Sequence, residues 1–160
     1  MRIILFYLLM SFGFLFLSPA HADIPGKPDI IDGNTILIAG EPIRLYGIDA
    51  PELMQTCERQ DGKNWQCGKE AMYALLRFLE NHWVTCKDER IDSSGSKSMI
   101  CFAGPYDVSA KMVQDGWAMV LDQERPDFLL YQQDSVVAKR GIWQGKVMNP
   151  WDWRRSNYSK

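Results

Sequence analysis

Ten residues, IRLYGIDAPE (43–52), hold one arginine, Arg44, and two acids, Asp49 and Glu52, with Pro51 inside the turn. These types suit phosphodiester chemistry. A carboxylate such as Asp49 gives hard oxygen ligands to a divalent cation, which polarises a phosphate. A neighbouring acid such as Glu52 can position water for in-line attack. Arginine grips two phosphate oxygens at once and stabilises the extra charge of the transition state. The same residues also have a structural reading, with Asp49 and Glu52 as turn and cap residues and Arg44 held to one of them in a salt bridge.

For the three side chains to meet, Arg44 must lie on a strand and Asp49-Ala50-Pro51 must turn Glu52 back to its face. The flanking pattern supplies these elements. DIID, TILIA and IRLYGI read as three short strands across 29–48, joined at Gly33-Asn34 and at Gly40-Glu41-Pro42. A polar loop bounded by cysteines follows at 55–66. Met72, Leu75, Leu76 and Leu79 fall at i, i+3, i+4 and i+7 and predict a helix over 68–81. WVTCKDERI and KSMICFA form a strand pair around DSSGS. Asp107 caps a second helix that Gly116 stops, and Asp127 caps a third that ends before Gly141. Three strands, a helix, two strands and two helices predict a mainly β protein with helices, an α+β fold built on a small five-stranded barrel. Tight turns between the first strands argue against a parallel α/β sheet. Trp143, Trp151 and Trp153 in the tail are expected to close the lower end of the barrel, with an exposed anchor for a protein partner as the second reading.

Residues 1–22 read as a signal peptide: Arg2, an apolar run over 3–17, and Ala20-His21-Ala22 as a cleavage signal. The run is short for a membrane span. Residues 23–160 then form one exported domain, periplasmic or secreted, with no membrane attachment after cleavage. Loss of Arg2 makes the net charge more negative than the −2 of the whole chain. That balance disfavours strong general binding to nucleic acid, whose phosphates select a basic face. Lys139, Arg140, Arg154 and Arg155 are the local basic clusters, and charged helix ends and tails of this kind are usually solvated. Cys57, Cys67, Cys86 and Cys101 are even in number and lie in the exported part, which favours disulfides over zinc; no pair has C-x-x-C spacing. Chain order pairs Cys57 with Cys67 and Cys86 with Cys101. His82, the one histidine beyond the leader, is read as packed or solvated.

The order IDGNTILIAGEPIRLYGIDAPE, CGKEA, GWA, KRGIWQG and PWDWR resembles the staphylococcal nuclease-like (thermonuclease) family from about Ile30 to Arg155. The resemblance implies an OB-fold barrel with three helices and calcium-dependent hydrolysis of DNA and RNA. It places Arg44 as the first phosphate-clamping arginine, Glu52 as the acid that handles the attacking water, and Asp49 as a calcium ligand. Ala50 falls where the family uses a backbone carbonyl.

Two departures weaken that inheritance. Asn34 stands where the family has a metal-binding aspartate, so a full charge is missing and calcium binding should be weak or absent. Ser96 stands at the second phosphate arginine, and Ser94 at a tyrosine that would pack on the nucleotide. Lys97 points to the opposite strand face and lacks the guanidinium fork. Losing one such donor typically costs about 10²–10³ in rate. Asp122, Glu124 and Asp127 add acids near the expected mouth. The expectation is an exported protein of nuclease descent that is weakly active or inactive. The alternatives are a working calcium-dependent endonuclease in which Lys97 or Arg90 fills the gap, and a non-catalytic binder of another anion, such as an acidic polysaccharide, or of a protein partner.

Overall fold

A computed structural model describes residues 23–92, 95–121 and 123–158. The leader, Ser94 and Asp122 lie outside the described residues. The chain begins with β1 (Ile24–Gly26) and β2 (Asp29–Ile30), two pieces of one strand interrupted at Lys27-Pro28. β3 (Thr35–Ile38) and β4 (Glu41–Leu45) follow, with Ile36, Ile38, Ile43 and Leu45 turned inward as period-two alternation requires. Next come β5 (Ile48–Asp49), β6 (Cys57–Arg59) and β7 (Asn64–Trp65), then α1 (Cys67–Leu79), β8 (Val84–Ile91) and β9 (Lys97–Ala103). The remainder is β10 (Tyr106–Asp107), α2 (Val108–Gln114), β11 (Met119–Val120), α3 (Leu129–Val137), β12 (Gly145–Lys146) and α4 (Pro150–Tyr158).

Strand pairing runs β1-β8-β9-β4-β3-β2. Because β1 and β2 are consecutive pieces of one strand, this path returns to where it started: β1 pairs with β8 and β2 with β3. Five strands thus wrap as an OB-fold barrel. β4 and β9 pair in parallel, Arg44 opposite Ser98, while the other pairs in this path are antiparallel. Inside, Ile36, Ile38, Leu45, Ile48, Leu75, Val84, Met99, Val108 and Met112 form one cluster.

The helices differ from expectation in detail. α1 buries Ala71, Leu75 and Leu79, while Leu76 is 42% exposed, so its inward face lies to one side of the stripe predicted. Asp107 caps α2 as expected, its Oδ1 accepting from Ala110 N at 3.2 Å. Asp127 does not cap α3, whose N-cap position is Phe128. Asp127 sits in a 3₁₀ turn (Pro126–Phe128) ahead of α3 and binds Arg125 instead.

The tail departs furthest. It forms a fourth helix, and its tryptophans do not close the barrel: Trp143 and Trp151 pack on a second, smaller cluster of Cys57, Trp65, Cys67, Met119 and Ile142. Trp153 packs edge-on to Tyr158. Both disulfides are paired as chain order suggested. Cys86 and Cys101 face each other directly across β8 and β9, and Cys57–Cys67 ties β6 to the start of α1. No described helix is long and apolar enough to cross a membrane.

Candidate functional site

Asp49 ends β5, which pairs with β11 opposite Met119, and this places its carboxylate at the mouth of the barrel with 2% of the side chain exposed. Arg44 leaves β4 five residues earlier and reaches the same point, its Nη2 donating to Asp49 Oδ1 at 2.9 Å. Asn34, in the turn before β3, arrives from across the hairpin. Its backbone N–H donates to Asp32 Oδ1 and its carbonyl accepts from Leu45 N, so the turn is held at both ends. Arg44, Asn34 and Asp49 are therefore brought together.

Glu52 joins them through a tight turn whose neighbour is the first turn of α1. Gln55 N donates to Glu52 O at 2.7 Å, and Glu52 N donates to Gln55 Oε1 at 3.1 Å. Gly68 is required there: a Cβ on it would lie 1.7 Å from Glu52 O. Gln55 is fully buried and also donates from Nε2 to Met148 O at 2.7 Å. One amide thus fixes the Glu52 turn to the segment that leads into α4.

That segment brings in a residue the sequence reading assigned to solvent. Arg154, from α4, donates to Asp49 Oδ2 at 2.7 Å, to Asp49 Oδ1 at 3.1 Å and to Glu52 Oε1 at 2.6 Å. The hydrogen bond to Asp49, and then that to Glu52, holds its guanidinium pKa above the ordinary range against the opposing effect of burial. Arg155, its neighbour, pairs with Asp152 on the same helix and, among the described residues, with no acid of the corner. Arg140 donates to the Gln114 carbonyl. Asn149 and Pro150, with Asp152 and Trp153 bonding back to the Asn149 carbonyl, are the signal that could have revealed this helix.

The other side of the mouth is the turn between β8 and β9. Asp92, 7% exposed, accepts from Ser96 N through Oδ1 at 2.9 Å, and its Oδ2 lies 3.2 Å from Arg44 Nε, an ion pair set off from hydrogen-bond alignment. Ser96, which the family resemblance aligns with the second phosphate arginine, lies in this turn and carries no charge. Neither proposed substitute reaches the corner: Lys97 pairs with Glu41 at 2.7 Å and Glu89 at 2.9 Å, and Arg90 lies over the Tyr46 ring.

The donor set does not fit calcium in this arrangement. Calcium takes six to eight oxygens. Here Asp49 Oδ1 already accepts from Arg44, Arg154 and Asn34, and Asn34 presents its amide nitrogen to Asp49 at 3.3 Å and to the Ile48 carbonyl at 3.4 Å. Among the described residues no group of three or more acidic, histidine or cysteine side chains could hold a metal. Chemically, the corner is two guanidiniums set against three carboxylates, Asp49, Glu52 and Asp92.

Residues 42–145 match the family described as staphylococcal nuclease homologue. The chain is 36% identical over 132 residues to the succinoglycan biosynthesis protein ExoI of Rhizobium meliloti (strain 1021), covering 79% of this chain and 68% of that one. It is 29% identical to the probable staphylococcal-like nuclease CAN2 of Oryza sativa subsp. japonica, over 71% of this chain but only 29% of the rice protein. It is 31% identical to the probable endonuclease LCL3 of Vanderwaltozyma polyspora, over 67% of this chain and 41% of that protein. With the barrel, the 43–52 corner and these matches together, the chain belongs to the staphylococcal nuclease family.

Proposed function

We propose that this chain is an exported nuclease-fold protein in which phosphodiester hydrolysis is weak or absent and calcium binding is correspondingly weak or absent. The observation that carries this reading is the state of the phosphate-gripping side of the mouth. Arg44 is committed to Asp49 and Asp92, and Ser96 brings no charge to the second position. A phosphodiester entering there meets three carboxylates and two arginines that are already paired. The local field does not favour an anion. Two disulfides are compatible with an oxidising compartment. The test is incubation of single-stranded DNA and RNA with the purified protein in millimolar calcium and in chelator. Both substrates should survive in chelator and be cut slowly or not at all in calcium. Efficient calcium-dependent cleavage that Glu52→Gln abolishes would overturn the reading.

A second reading, a non-catalytic role linked to glycan, has its own support. The relative named for succinoglycan biosynthesis aligns with 79% of this chain. Away from the corner, a groove of about 400 Å³ is lined by Arg59, Lys139, Trp143 and Lys146, with Glu58 bound to Lys146 at 2.8 Å. An indole beside three cations suits an anionic sugar. Saturable binding of an acidic oligosaccharide that Trp143→Ala removes would favour it, and no binding would exclude it.

A further inference from the structure

Among the described residues the Asp49 and Glu52 carboxylates accept five side-chain hydrogen bonds, and three come from one side chain, 102 and 105 residues away in the chain. We infer that Arg154 is the resident cation of the Asp49–Glu52 corner, so that docking of α4 decides whether the corner accepts a divalent metal. This goes beyond the weak-hydrolase reading and does not depend on it.

The geometry is that of a cation bridging two acids. Nη1 spans Asp49 Oδ1 and Glu52 Oε1, and Nη2 completes a two-pronged grip on Asp49. A divalent ion recruited by these carboxylates would need the same lone pairs. Two like charges cannot share that space, with Asp49 almost wholly removed from solvent. The guanidinium is charged at every accessible pH, so the site is filled whenever α4 is docked.

The packing of α4 leaves it free to release. Of its nine residues only Pro150 is buried. Trp151 rests partly covered against the second cluster, and the Gln55–Met148 bond anchors the approach. Beyond these, the ion pairs of Arg154 to Asp49 and Glu52 tie the helix to the barrel. The arginine therefore both fills the corner and holds down the helix that delivers it.

The experiment is calcium titration of the disulfide-bonded protein by calorimetry, with thermal melting in calcium and in chelator as a second readout. The unmodified chain should show no saturable binding and an unchanged Tm. Arg154→Ala should bind calcium in about the millimolar range, typical of weak extracellular sites, with a Tm raised by calcium. Adding Glu52→Gln to that variant should remove the binding. Arg154→Lys, which keeps a positive charge, should bind calcium at least several-fold more weakly than Arg154→Ala. Calcium binding by the unmodified chain as tight as by Arg154→Ala would overturn the proposal, as would a cooperatively folded Arg154→Ala that gains none. Asn34→Asp adds a carboxylate while leaving Arg154 in place, and should remain without calcium; binding by that variant overturns the proposal even if Arg154→Ala does not fold. Cleavage of nucleic acid by the unmodified protein in chelator would defeat the weak-hydrolase reading alone and leave this inference standing.

Discussion

Asp49 and Glu52 accept from the same arginine but stand in different surroundings, and burial decides what each is worth. The Asp49 side chain is 2% exposed and takes both Arg44 and Arg154; Glu52 is 27% exposed and takes Arg154 alone among the ion pairs described. Asp49→Asn removes a buried charge that both arginines share, although Arg44 keeps Asp92 and Arg154 keeps Glu52. It should lower unfolding free energy by about 1.5–3 kcal/mol, the range for a charged hydrogen bond, and Glu52→Gln by about 1 kcal/mol or less. Urea denaturation of the two variants checks this, and equal losses would mean that Asp49 is not the centre of the network. The family resemblance singled out Arg44, Asn34 and Asp49, and the single turns between their elements let the fold bring them together. Gln55 and Arg154 were not legible in the sequence. A glutamine in a polar loop has the composition of solvent-facing chain, yet it is fully buried here and its amide bonds both the nearby Glu52 backbone and the distant Met148 carbonyl.

At the scale of elements, local signals carried the barrel and missed its closure. Hairpin turns and alternation are short-range, so β2, β3, β4, β8 and β9 could be read directly. The parallel pairing of β4 with β9 joins segments more than fifty residues apart and has no local signal. α4 had one, Asn149-Pro150 before Asp152, but its weak apolar pattern hid the helix behind the charge of Arg154 and Arg155. The element that sets Glu52 is the start of α1, where Gly68 lets the helix backbone approach the turn. Gly68→Ala places a methyl 1.7 Å from Glu52 O, against backbone that cannot rotate away. The helix or the turn must move. Overpacking of this kind costs about 1–3 kcal/mol, although alanine is otherwise the better helix former. Guanidinium unfolding should show a net loss. A stability equal to the unmodified protein would show that the contact between α1 and the Glu52 turn relaxes freely.

On the scale of the whole molecule, two cores and two disulfides divide the work. Cys86–Cys101 lies inside the barrel cluster, opposite in register on neighbouring strands, and both residues are fully buried. Cys57–Cys67 belongs to the second cluster, the one on which Trp143 and Trp151 rest. The loops they close span 15 and 10 residues, so chain entropy alone assigns each about 3 kcal/mol. Their local consequences differ. Without Cys86–Cys101 the barrel loses a tie between strands already joined along β8 and β9, and the loss should appear as lower global stability with the same pattern of protection. Without Cys57–Cys67, β6 loses its link to α1, and β6 is the strand that pairs with β12 just before α4. Cys57→Ala with Cys67→Ala should therefore speed amide exchange across residues 145–158 beyond what the global loss explains. Cys86→Ala with Cys101→Ala should speed exchange there only in proportion to the loss of global stability. Hydrogen exchange on the two double variants, each normalised to its own unfolding free energy, separates the cases. If both pairs loosen 145–158 alike, the second cluster is not an independent support, and α4 answers to the barrel as a whole.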